Sequence, residues 1–468
     1  SYVALEAQAL GALVVASDIP GLRCAIEHEV TGFLVPLNDS KHYVDIIRQV
    51  DRNRKGFLQI KQRAAIAVKR FSRDVFMEDY ARFLKKICNV KTICFVATTP
   101  FAVNAFLKNH LLGLAKEYKI ILCVNLNLFS LSNEIVEKVT VIDLEIQRKI
   151  SIYQDIKILI KLIRIIGANS PSVVHTLTPK AGLLGMMAAW ISGVSTRCHT
   201  FTGQIWVTKT LLTRYLLKRL DRLIVAIASH VFVDSESQRN LLYRENVAKY
   251  GAVDMLGKGS ISGVNPTRFR PDVNIRREKR REVGSSDDVC VYLFVGRLTR
   301  DKGVFDLVTA FKEVSVETPN VELWIVGPDE ENLKADLENE LTNCDLTIRW
   351  FGHTVNPQLM MASADILLLP SYREGFGSVI IEAAACEVPT IAYRIDGVVD
   401  AVEDGQTGIL IDVGDVRLFA CAMKRLAFDK SFRIRLGRQG RLRVQRQFNS
   451  ESVTAAWTDF YRKILRPD

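Results

Sequence analysis

The chain has 468 residues, 48% of them hydrophobic and 25% charged, with a formal net charge of +11. That balance excludes a disordered chain and provides material for about three domains at roughly 150 residues each. The 9 cysteines stand singly, with no Cys-x-x-Cys pair and no histidine cluster at zinc spacing, which excludes a disulfide framework and points to a reducing cytoplasm. The longest apolar stretches, 181–194 and 223–233, are shorter than the roughly 20 residues of a spanning helix, so an integral membrane protein is not expected. The positive charge leaves nucleic acid, anionic lipid surfaces and phosphorylated small molecules as partner classes.

In chain order, the first feature is a repeat. Residues 6–34 align without gaps on 382–410, matching Glu6 with Glu382, Gly21 with Gly397, Glu27 with Glu403, and Thr31 and Gly32 with Thr407 and Gly408. After a one-residue slip, the stretch ending at Ile87 pairs with the stretch ending at Ile464. Residues 1–88 therefore read as a partial second copy of the closing part of the chain, beginning in mid-motif: a truncated tandem copy or a fused remnant, with an adaptor domain as the alternative. Parallel sheets are normally covered on both faces, and this copy lacks the strands that would complete one, so low stability on its own is expected.

From residue 90, apolar runs at 92–98, 120–125, 139–142 and 172–175 alternate with helical stretches at 105–117, 153–167, 181–192, 209–223 and 235–245. The segment 263–274 holds two prolines and reads as a hinge. A second alternating unit follows, with strands at 289–295, 321–326, 348–351, 366–370 and 390–392, and helices at 304–314, 332–341 and from Ser378. Strand–helix alternation predicts an α/β protein with two doubly wound, Rossmann-like parallel sheets. One is expected over 90–268, completed by a closing helix at 451–466, and one over 275–450. Ligands of such sheets bind outside the carboxyl ends of the strands.

Two loops at those ends carry chemistry. The loop 296–303 reads GRLTRDKG and runs into a helix. Gly296 allows close backbone approach, while Arg297, Lys302 and the helix N-terminus favour a multiply charged anion such as a diphosphate. The plain alternative is a solvated basic loop. The loop 371–378 reads SYREGFGS and enters a helix bearing Glu382. Glu374 and Glu382 stand eight apart with Gly375 and Gly377 between them. Glu382 sits among small apolar residues, where a carboxylate must find hydrogen-bond donors; sugar hydroxyls would serve. The two glycines leave the helix N-terminus bare to face a phosphate.

Arg297, Lys302, Glu374 and Glu382, followed by Pro389, Gly397, Asp404, Gly405, Thr407 and Gly408, together resemble the C-terminal domain of retaining glycosyltransferases of family 4, which have the GT-B fold. The resemblance covers 90–468, and 1–88 resembles the tail of the same family. It implies that Arg297 and Lys302 hold the donor diphosphate, Glu374 the hydroxyls of the transferred sugar, and Glu382 the ribose hydroxyls. Backbone from Phe376 through Ser378 to Val379 would meet sugar and phosphate, and Gly352 and His353 would lie near the nucleobase. In the first domain, SVVHTLTPKAG at 172–182 and HTFTG at 199–203 resemble a subgroup acting on polyprenyl-diphosphate-linked sugars in bacterial surface-glycan assembly. There His199 matches the histidine that faces the donor sugar, and His175 and Lys180 would face the acceptor. The loop 98–104, TTPFAVN, departs from the family by lacking a glycine-rich sequence.

The activity so implied is transfer of a sugar, with retention, from a nucleotide diphosphate sugar (a UDP-hexosamine or UDP-hexose) to a lipid-linked or polysaccharide-precursor acceptor. No Asp-x-Asp pair occurs, so neither metal nor other cofactor is expected, and cations and helix dipoles must offset the leaving-group charge. Glu374 is the nearby candidate nucleophile; same-face attack, with a phosphate oxygen taking the acceptor's proton, is the favoured route. Lys149, Lys157, Lys161 and Arg164 punctuate one Ile/Leu-rich stretch, and Lys209, Arg214, Lys218, Arg219 and Arg222 flank leucines in another. Basic amphipathic helices bind anionic lipid, which would place a cytoplasmic enzyme peripherally on the inner membrane face; core helices with a solvated basic side are the alternative. The cluster at 276–281 reads as a solvated interdomain surface. A nucleic-acid binder is suggested by charge alone and lacks any binding motif or aromatic platform. An epimerase of the same fold would need an acid/base set that the sequence does not display.

Overall fold

A computed structural model describes residues 2–72, 74, 75, 77, 90–127, 129–147, 151–341 and 346–465. Cys88, Lys149, Cys344, the repeat's stretch at 78–87 and residue 466 lie outside the described residues. The chain forms two compact units, 1–90 and 91–468.

The second unit holds two all-parallel sheets. The first comprises β3 (Thr92–Val96), β4 (Lys119–Val124), β5 (Thr140–Asp143), β6 (Val173–Leu177), β7 (Thr196–Phe201), β8 (His230–Val233) and β9 (Asp254–Met255), in the order β5-β4-β3-β6-β7-β8-β9. The second comprises β10 (Cys290–Val295), β11 (Val321–Val326), β12 (Ile348–Gly352), β13 (Ile366–Leu369), β14 (Thr390–Tyr393) and β15 (Gly408–Ile411), in the order β12-β11-β10-β13-β14-β15. Helices cover the sheets, so central strands such as β6 and β13 are buried along their whole length; this is why they read as unbroken apolar runs. In each sheet the strand order reverses once, between β3 and β6 and between β10 and β13. A crevice opens at such a reversal.

The helix Ser450–Ile464 returns to the first sheet, burying Val453, Trp457 and Tyr461 beside Ile93, Phe95 and Leu122. The two strands of chain that cross between the domains pair with each other: Val264 N donates to Phe448 O (2.7 Å), and Ser450 N to Val264 O (2.9 Å).

The reading of 276–281 as a solvated surface is corrected. Arg280 is 1% exposed; it donates to Asp365 Oδ2 (2.6 Å) and to the Ser363 and Val289 carbonyls, while Arg276 reaches Asp365 Oδ1 (2.9 Å). A planar guanidinium whose donors are all matched tolerates such burial. Only Arg277 and Arg281 of the arginines there face solvent.

In the first unit, β1 (Val15–Ser17) and β2 (Phe33–Val35) form a parallel pair flanked by helices Tyr2–Ala9, Ser40–Arg52 and Leu58–Ala67. The turn repeats that of the second unit: Glu27 N donates to Thr31 Oγ1 and Glu403 N to Thr407 Oγ1, each at 2.9 Å. The difference lies in what covers the strands. β14, flanked by β13 and β15, is wholly buried, whereas β1 pairs among the described residues with β2 alone and is only half-buried.

Candidate active site

The loops after β10 and β13 meet at the strand-order reversal. Gly303 (φ +67°) lets them touch, because a Cβ there would overlap the Pro370 carbonyl oxygen. Three bonds then brace one loop on the other. Tyr372 N donates to Asp301 O (2.9 Å), Arg373 pairs with Asp301 Oδ2 (2.7 Å), and Lys302 Nζ lies 2.5 Å from Glu374 Oε1. Burial alone would push the Asp301 carboxyl up, but the Thr299 hydroxyl and Arg373 outweigh it and hold it below the usual range. Asp301 and Arg373 were not singled out in the sequence, where both look like ordinary members of a charged loop.

Beyond Glu374 the helix Ser378–Ala385 starts from Gly377 (φ +76°) with no side chain capping its amides. Phe376 is buried against Phe448, ring centroids 5.2 Å apart, so it anchors the loop through its ring while its backbone stays at the helix start beside Ser378 and Val379. Glu382 lies one turn further and is half-buried. Loss of solvation pushes its pKa up to about 7, only partly offset by Arg268. Its carboxyl has no hydrogen-bond or ion-pair partner among the described residues.

Arg297 follows Gly296 at the end of β10 and does not join the Lys302–Glu374 pair. It is oriented by Glu330 (2.8 Å), which comes from the loop after β11. Since β11, β10 and β13 are adjacent, these groups share one carboxyl edge. Gly352 ends β12, and the exposed His353 beside it faces Phe101 and Phe129 of the first domain, with centroids 6.4 and 6.1 Å away.

The first-domain expectations fare differently. His199 is fully buried; its Nδ1 bonds Thr176 Oγ1 (2.7 Å), its Nε2 has no partner, and burial holds its pKa down at about 3. His175 is corrected: rather than facing an acceptor, it lies in the core, with Nδ1 on the Tyr461 hydroxyl and Nε2 on Thr200 Oγ1 (2.8 Å), stacked on Phe95. Lys180 is likewise committed to a largely buried ion pair with Asp155 (2.6 Å). Between the domains, beside Glu374, a cavity of about 390 Å³ is lined by Val207, Gln238, Tyr372, Arg373, Arg394 and Asp396, among others. That volume suits a small ligand.

The chain is similar in sequence and in fold to known proteins. The family model "Glycosyl transferases group 1" matches residues 1–67 and 275–443, and "Glycosyl transferase 4-like" matches 92–234. The capsular polysaccharide biosynthesis glycosyltransferase CapM of Staphylococcus aureus is 30% identical over 321 residues, which are 68% of this chain and 84% of that protein. An Escherichia coli UDP-Gal:alpha-D-GlcNAc-diphosphoundecaprenol alpha-1,3-galactosyltransferase is 25% identical, over 64% of this chain and 78% of its own. Among solved structures, sucrose-phosphate synthase from Thermosynechococcus elongatus superposes with a TM-score of 0.67 at 21% identity, covering 80% of this chain and 99% of that one. Anabaena HepE in complex with UDP and glucose gives 0.66 at 17%, over 80% and 100%. Two Rossmann-like domains with these neighbours make the fold GT-B, and the chain belongs to the group 1 glycosyl transferases: it is a glycosyltransferase.

Proposed function

We propose that the enzyme transfers a hexose or hexosamine, with retention of configuration, from a UDP-sugar to a polyprenyl-diphosphate-linked glycan at an anionic membrane surface on the cytoplasmic side. The observation carrying this is the Lys302–Glu374 pair at 2.5 Å, followed in the chain by a bare helix N-terminus and, one turn in, the unpartnered Glu382. Lys302, Arg297 and the helix amides supply the positive charge that a leaving diphosphate needs, so the reading requires no metal. Glu374 offers its carboxylate to sugar hydroxyls and Glu382 to the ribose. Gly352 and His353 border the base, and the unpartnered Nε2 of the buried His199 supports reading it as the donor-side histidine. Neither His175 nor Lys180 is assigned an acceptor role. The E. coli relative's name supports a diphosphate-lipid acceptor, and residues 1–88 are read as a second, partial copy of the donor-side domain.

The membrane part rests on one face of the first domain. Helices Ile152–Asn169 and Leu211–Ile227 both pack on Pro179–Ile191, and together they leave Ile152, Tyr153, Ile156, Leu211, Leu212 and Leu216 exposed. The basic residues are not uniformly outward: Arg214 and Lys218 pair with Glu245 (2.9 and 2.7 Å), and Lys161 donates to Asp143 O. Lys157, Arg164, Lys209 and Arg219 are exposed on the same two segments, and exposed apolar and basic residues together give the composition of an interfacial surface. Among the described residues no helix is long and apolar enough to cross a membrane. The test is a transfer assay with a panel of UDP-, GDP- and ADP-sugars and a GlcNAc-diphosphate-polyprenol acceptor in vesicles. We expect transfer from a UDP-sugar, faster in phosphatidylglycerol than in phosphatidylcholine vesicles and unaltered by EDTA. Transfer that prefers GDP- or ADP-sugars, or is indifferent to lipid charge, contradicts the corresponding part.

A further inference from the structure

One short stretch of the first domain, at the end of β8 and the start of helix Glu236–Arg244, grips the loop that carries Glu374. Gln238 Nε2 donates to the Glu374 carbonyl (2.9 Å) and Ser235 Oγ to the Gly375 carbonyl (3.0 Å). The Ser235 hydroxyl also accepts from Gln238 N (3.3 Å), which fixes the helix's first turn. Ser237 Oγ accepts from Gly397 N (2.6 Å), and Ser237 N donates to Asp400 Oδ2 (3.0 Å), holding the next loop of the second domain. Asp234 packs directly on Gly375: a Cβ there would strike its Oδ2 and come within 2.7 Å of the Thr202 carbonyl.

We propose that residues 234–238 form a clasp that sets the Glu374 loop when the domains are shut, making Asp234, Ser235 and Gln238 positioning residues for sugar transfer. The inference rests on the reading of Glu374 as a site residue. The loop's own domain holds the Glu374 side chain through Lys302, but the carbonyls of Glu374 and Gly375 take these bonds from the first domain. Such bonds exchange for water at little net cost, so the clasp is reversible within a catalytic cycle. Lys302, Arg297 and Glu382 all belong to the second domain, so donor binding does not need the clasp, whereas correct placement of Glu374 does.

Asp234 adds a titratable element. Its carboxyl is buried with Oδ1 unpartnered. It faces Glu374 from the β13 loop, with Lys302 behind it, and Asp400 from helix Val398–Ala401; Thr202, Gly259 and Gly375 on the other sides carry no charge. Burial first, then those two carboxylates, push its pKa up to about 8. It is therefore neutral below that pH. Above it, a third negative charge enters the seam and loosens the grip.

The experiment compares Ser235→Ala/Gln238→Ala, Ser235→Ala, Ser235→Thr and Asp234→Asn in the full chain, reading transfer kinetics, UDP affinity and amide exchange of residues 371–377 in the UDP complex. Misplacing a catalytic group by about 1 Å costs on the order of 10² in rate. The double alanine variant is therefore expected to lose roughly tenfold to hundredfold in kcat with a UDP Kd within about threefold of wild type. Ser235→Thr restores kcat relative to Ser235→Ala, and Asp234→Asn abolishes the alkaline limb near pH 8. Exchange of the loop amides accelerates in the double variant whether or not the acceptor has been found, which separates this proposal from the functional reading. Unchanged exchange, an unchanged kcat, or a UDP Kd that rises in step with the kcat loss overturns it. So does an alkaline limb that persists in Asp234→Asn.

Discussion

Replacing Lys302 by alanine is expected to lower turnover by roughly 10²–10³, the loss typical of removing one preorganised donor from a developing negative charge. Two effects add in the same direction. The ammonium that would meet the leaving diphosphate disappears, and the Glu374 side chain, 12% exposed, loses the partner 2.5 Å away that orients it. Lys302→Arg is not expected to rescue fully, because a planar fork cannot occupy the place of a compact point charge. Arg297→Ala acts in the same direction, through a guanidinium that Glu330 already orients at the neighbouring strand end. The measurement is UDP release at saturating donor and acceptor. Near-normal turnover in Lys302→Ala would remove the assignment of this edge as the donor site.

The second large effect is expected from Gly375→Ala. Gly375 is not among the residues with positive φ, so alanine carries no backbone strain of its own there. Its cost arises across the domain seam, where the added Cβ strikes Asp234 Oδ2 and comes within 2.7 Å of the Thr202 carbonyl carbon, and where a Cβ on Gly203 (φ +96°) would likewise come within 2.9 Å of Gly375 N. Opening the domains relieves the clash without unfolding either one. Transfer is therefore expected to fall by roughly 10² or more while thermal stability and UDP affinity stay close to wild type. A variant that loses its fold, or one that transfers normally, contradicts this description of the closed seam.

What the sequence disclosed follows from range. The alternation of apolar runs and helices is local, and β11 occupies 321–326 as that pattern indicates. The GRLTRDKG and SYREGFGS loops announced themselves by glycines and charges at strand ends, and parallel adjacency of β10 and β13 brings Lys302 onto Glu374. The misreadings are all long-range. His175 looked available because Tyr461, 286 residues away, fills its Nδ1. Lys180 looked free because Asp155 belongs to a different helix. Arg280 looked solvated because Asp365 is its partner only once β13 lies beside β10. Ser235 and Gln238 gave no signal, since their partners stand 140 and 136 residues on and a Ser at a helix start is explained by capping alone.

If a nucleoside diphosphate sits on this edge with its ribose against Glu382, binding must change that carboxyl's protonation. Free Glu382 is held protonated up to about pH 7 by burial, while ribose hydroxyls donate to the ionised form and lower its pKa. Binding then releases a proton, and affinity is lost as pH falls below that value. Calorimetric titration of UDP across neutral pH, in wild type and in Glu382→Gln, isolates the effect from the phosphate's own titration. Affinity that climbs with pH more steeply in wild type than in the glutamine variant is the predicted result; identical pH profiles in the two proteins would contradict it.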